Sequence, residues 1–106
     1  MSEDLLREVR KLEIRLEGVV KAEDDFVQSL RRCVEKFKAV VAVLQRGDAG
    51  VGAERGKEFM ARRFDAISAL HEALQRASTA EHEKSHLLES YGAVVLAVEK
   101  QMPGVS

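Results

Sequence analysis

The chain has 106 residues, 45% hydrophobic and 33% charged, with a formal net charge of −1. It is too apolar for a disordered chain, too charged for a membrane one, and of a length that suits one domain. One proline, no asparagine and one cysteine exclude a turn-rich fold and an internal disulfide, and point to long helices.

The N-terminus, MSEDLLREVR, is charged and has no apolar h-region, so the expectation is no secretory signal and a cytoplasmic setting. Ser2 suits an N-cap, and Glu3 and Asp4 suit the positive end of a helix dipole. From there Leu5, Val9, Leu12, Leu16, Val19, Glu23, Phe26, Leu30, Cys33, Phe37, Val40 and Leu44 alternate spacings of four and three. That is a heptad stripe with one charged station, Glu23. Leu6, Val20, Val27, Val34 and Val41 add a further apolar column. A helix with three such columns wants at least two neighbours. Gly18 costs roughly 1 kcal/mol against Ala in a helix but leaves the phase intact. One helix over about residues 2–46 is expected, roughly 66 Å long at 1.5 Å per residue.

Residues 47–52 hold three glycines and read as the loop. A second helix is expected over about 53–77, with Phe59, Met60, Phe64, Ile67, Leu70, Leu74 and Ala77 as its stripe. Between Gln75 and His86 no large apolar residue occurs, and Ser78-Thr79-Ala80-Glu81 reads as a capping box. A third helix over about 79–102 would carry Leu87, Leu88, Tyr91, Val94, Val95, Val98 and Met102, ending at Pro103-Gly104. Against a break, Ile67 and Leu88 stand three whole heptads apart. The expected fold is all-α: an antiparallel bundle of three helices, single-domain over 1–106, with a long first helix. The alternative is a two-helix long hairpin that dimerises into a four-helix bundle.

Few residues invite a chemical reading. His82-Glu83-Lys84-Ser85-His86 matches H-E-x-x-H, the zinc-peptidase spacing. Lys84 inside it disfavours a cation, no sheet is expected to hold a substrate, and the third ligand would have to be His71. Surface histidines are the expectation. Glu83 and His86 also form half of a di-iron E-x-x-H pair, for which Glu23 and Glu81 sit on core stations, but no second E-x-x-H occurs. The glycine-rich stretch matches no phosphate-loop pattern, Arg46-Gly47-Asp48 is a chance adhesion tripeptide, and Cys33 falls on a core station as a small hydrophobe. The expectation is therefore no metal, no cofactor, no small-molecule substrate and no enzyme.

Charge is uneven along the chain. Residues 31–63 carry nine Lys/Arg against four Asp/Glu, whereas 1–30 carry five against eight and 64–106 three against six. Arg31, Arg32, Lys36, Lys38, Arg46, Arg55, Lys57, Arg62 and Arg63 form a basic loop end. They would suit a nucleic acid or an acidic partner weakly, or simply solvate a helix face with pairs such as Glu54–Lys57 and Glu58–Arg62. Residues 83–88 spell E-K-x-x-L-L, a pattern similar to small flagellar or type III export chaperones; that resemblance implies a secretion or assembly chaperone.

The leading expectation is a helical scaffold, adaptor or assembly subunit acting by coiled-coil-type protein binding and oligomerisation. Leu5, Leu6, Val9, Leu12, Leu16, Val19 and Val20 are its expected partner-binding stripe, for a homodimer or a hetero-coil. An antiparallel dimer would bring the acidic N-terminal end of one copy near the basic loop end of the other.

Overall fold

The computed structural model describes residues 3–46 and 52–101, with the side chains of 52–55 excepted. The described residues form two helices, α1 (Glu3–Gln45) and α2 (Gly52–Gln101). Glu3 and Asp4 occupy the first turn of α1, and Lys100 the last turn of α2, each favourable to the helix dipole. Ser2, residues 47–51 and Pro103-Gly104, which the sequence assigns to a cap, the loop and a stop, lie outside the described residues.

The fold is all-α, but the third helix is not formed. α2 runs unbroken through Ser78, and Ser78-Thr79-Ala80-Glu81 caps nothing. The reason lies in alanine. Phe59, Ala66, Ala73, Ala80, Leu87 and Val94 recur every seven residues and are buried or half-buried. The stretch that lacks large apolar residues is therefore still a contact stripe, and alanine is the best helix former.

The chain divides into two compact units. One, the connecting unit, spans Asp25–Ala77; the other, the terminal unit, combines Met1–Asp24 and Ser78–Ser106. In the connecting unit the helices run antiparallel. Arg46 donates to both carboxylate oxygens of Glu58 at 2.8 and 2.7 Å, and fourteen residues earlier Arg32 reaches Glu72, fourteen later, at 3.0 Å. The seam is made of small side chains: Ser29 and Cys33 on α1 against Ala66, Ala69 and Ala73 on α2 are all buried, with Val43 as its one large, fully buried member. Phe26, Val40 and Phe59 are half-buried beside them.

The terminal unit is also antiparallel. Lys84 Nζ lies 2.7 Å from Glu23 Oε1, while Asp4 and Arg7 share a cleft of about 350 Å³ with Ala97, Lys100 and Gln101. Ala22, Ala80 and Ala97 are its buried residues, with Leu5, Leu12, Val19, Leu87 and Val94 half-buried. Gly18 stands against the Glu83 carboxylate; a Cβ there would lie 3.1 Å from Oε2.

Two adjacent columns of α1 meet α2, one apolar and one mixed. The Leu5–Val40 column of the heptad stripe is at the seam. The column of Val9, Leu16, Leu30, Phe37 and Leu44 is not, since Ala22, Ser29 and Val43 take its place. Small residues admit the closest approach of two helix axes.

Candidate functional site

The large apolar side chains that the seam leaves out form the candidate site. Steps of four residues move about 40° round a helix. On α1 of the connecting unit they lead from buried Cys33 to Phe37 and Val41; on α2, from buried Ala66 to Leu70 and Leu74. In an antiparallel pair the same sense of rotation brings both walks out on the same side of the seam. Val27, Leu30, Val34, Phe37, Val41 and Leu44 thus join Met60, Ile67, Leu70 and Leu74 in one apolar flank. All ten are 36–59% exposed. Arg63, seven residues before Leu70 and so in the same heptad column, stands within it as its one charged member among the described residues. The ion pairs Arg32–Glu72 and Arg46–Glu58 occupy the opposite flank.

Half-exposed side chains of this size leave on the order of 60–80 Å² each in water. The flank then exposes on the order of 600–800 Å², beyond the few hundred a monomer usually shows and near the ~800 Å² per partner of a standard interface.

The terminal unit repeats the construction with an interruption. Leu6, Val9, Leu16 and Val20 on α1 and Leu88, Tyr91 and Val98 on α2 are exposed on its flank. Between them lie Glu13, Glu23, Glu81 and Lys84. Glu23 Oε1 is buried, and Lys84 reaches both it and Glu81, the latter at 3.4 Å. The Lys84 ammonium is held above the ordinary lysine range. The hydrogen bond and charge of Glu23 are the main cause, and Glu81 adds to them against a smaller effect of burial.

Of the seven residues expected to bind a partner, Leu5, Leu12 and Val19 line the seam with α2, whereas Leu6, Val9, Leu16 and Val20 stand on the exposed flank. Sequence reasoning missed Lys84, which lies in a polar stretch and gains meaning only from its register with Glu23. It treated Leu70, Leu74, Leu88 and Tyr91 as core; they are exposed.

The basic residues do not converge on one face. Arg31 and Lys38 point away from α2, Arg32 and Arg46 lie on the polar flank, and Arg63 stands within the apolar one. Arg32, Lys38 and Arg46 are paired with Glu72, Glu35 and Glu58. Lys36, Lys57 and Arg62 are exposed, and the side chain of Arg55 lies outside the described residues, as does that of Glu54.

His82 and His86 are neighbours on α2, their Nε2 atoms 3.0 Å apart and their rings edge to face. His86 Nδ1 lies 3.4 Å from Glu89. His71 lies eleven residues earlier in the sequence, in the connecting unit, and is exposed. Among the described residues no group of three or more metal-ligating side chains is assembled. Cys33 is buried in the seam. No described helix is long and apolar enough to cross a membrane.

Neither a protein-family model, nor a curated protein, nor a solved structure matches the chain.

Proposed function

We propose that the protein is a non-enzymatic assembly subunit that works by presenting the apolar flanks of its two units to another helical surface, most simply a second copy of itself. One observation carries this reading: among the described residues, seventeen large apolar side chains stay exposed on the two flanks, beside a seam whose buried members, Val43 apart, are alanine, serine and cysteine. Burying half-exposed side chains recovers on the order of 1 kcal/mol each. The connecting flanks of two copies then supply about 20 kcal/mol, against the ~4–15 kcal/mol that association costs. A four-helix arrangement satisfies both helices of each copy. The pairing of Arg32, Lys38 and Arg46 with carboxylates leaves less positive charge for a nucleic acid, which is the weaker reading.

Sedimentation equilibrium of the wild type and of Leu30→Asp/Leu74→Asp tests it. Both substitutions lie on the connecting flank, 40% and 59% exposed. A dimer or small oligomer at micromolar concentration is expected for the wild type, and a helical monomer for the variant. A wild type that stays monomeric at high micromolar concentration overturns the reading.

A further inference from the structure

The flank of the terminal unit carries a feature that a plain adhesive surface would lack. Glu23 stands where its heptad neighbours Leu16 and Leu30 are apolar, and Lys84 where Ala77 and Tyr91 are. They meet across the seam at 2.7 Å on the apolar side. The other pairs that join the helices, Arg32–Glu72 and Arg46–Glu58, lie on the polar side, where water solvates them at little cost. An ion pair embedded in an apolar stripe adds little to affinity and is the kind of element that fixes register and partner orientation.

We propose that the Glu23–Lys84 pair is a register lock, selecting one orientation of a second copy on the terminal unit. This rests on the self-association proposed above. Covering the flank buries the pair, which is tolerable only where the second copy offers charge at the same level. Two orientations place layer on layer. With the copies related by a two-fold axis along the helices, α1 of one covers α2 of the other. Glu23 then faces the second Lys84, and Lys84 the second Glu23, so each lysine lies among Glu23 and Glu81 of its own copy and Glu23 of the other. With the axis across the helices, Glu23 faces Glu23 and Lys84 faces Lys84, and like charges abut. The first arrangement is selected. It replaces the orientation that the charges of the two chain ends alone suggest. In it, Leu16 of one copy also faces Leu88 of the other.

The test uses the full chain. Glu23→Lys is expected to weaken self-association by about tenfold or more, and Glu23→Lys/Lys84→Glu to return it to within about threefold of wild type. Circular dichroism checks that each stays helical. Orientation is read by mixing Leu16→Cys with Leu88→Cys, each in a Cys33→Ser background, and oxidising. The mixed disulfide is expected to dominate. In Glu23→Leu/Lys84→Leu, which removes the pair from the flank, association persists but the mixed disulfide loses its preference over one between Leu16→Cys and Leu30→Cys, the residues that the axis across the helices brings face to face. Dimerisation that is indifferent to the charge at 23 and 84, or a Leu16→Cys chain that cross-links to Leu30→Cys as readily as to Leu88→Cys, overturns the lock and leaves the assembly reading standing. A monomeric wild type overturns both.

Discussion

The connecting and terminal units are built to one plan and differ in how they finish it. Each has a seam of small residues and, on one side, a flank of large ones. Among the described residues, the connecting flank holds ten exposed apolar side chains with the single charge of Arg63 among them; the terminal flank holds seven, with Glu13, Glu23, Glu81 and Lys84 set among them. A flank with one charge and no ion pair across the seam supplies adhesion with little direction. An interrupted one gives up some adhesion for direction. On the self-association proposed above, adhesion and direction fall to different parts of one helix pair.

The largest expected effect separates seam from flank at adjacent residues. Ala73 is 1% exposed and Leu74 is 59% exposed. Ala73→Leu overfills the seam and should destabilise the fold by about 1–3 kcal/mol or more in urea unfolding. Leu74→Ala should leave the isolated helix pair nearly unchanged but weaken self-association by about tenfold, read by sedimentation. If both substitutions acted alike, seam and flank would not be distinct.

A smaller effect follows from Lys84. Its raised pKa in the folded chain means that its pairing stabilises the fold fully below the unfolded value, about 10.4. The contribution is lost as pH rises through the folded value. Glu23 on α1 and Glu81 on α2 are the charges that hold it. Unfolding midpoints between pH 9 and about 12 should therefore fall more in wild type than in Lys84→Met. The smallest effect is at Gly18, where only the mobile end of Glu83 stands in the way of a Cβ. Gly18→Ala should stabilise the fold by about 0.5–1 kcal/mol through helix propensity, seen as a modest rise in melting temperature.

Much of this is legible in the sequence, and the illegible parts have a common cause. The heptad phase through Leu5, Leu12, Val19, Phe26, Cys33 and Val40 marks the seam of α1 directly. Glu23 is legible as a charged station in an apolar stripe. The other half of the seam is not, because Ala66, Ala73 and Ala80 read as helix formers rather than as contacts. The same blindness places a turn at Ser78. A search for large side chains assigns Leu30, Phe37, Leu70 and Leu74 to the core, whereas the small residues let the helices close and turn the large ones outward. Lys84 needs the pairing of two helices distant in sequence, which no local pattern encodes.

The central claim is that the seam holds the chain and the flanks hold an assembly. Its most direct test is urea unfolding of the wild type across a hundredfold range of about 1–100 μM, since an assembled state links stability to concentration. The midpoint should climb with concentration, and the climb should vanish in Leu30→Asp/Leu74→Asp. A wild-type midpoint that stays fixed over that range would contradict the account, leaving the exposed flanks as surface that nothing covers.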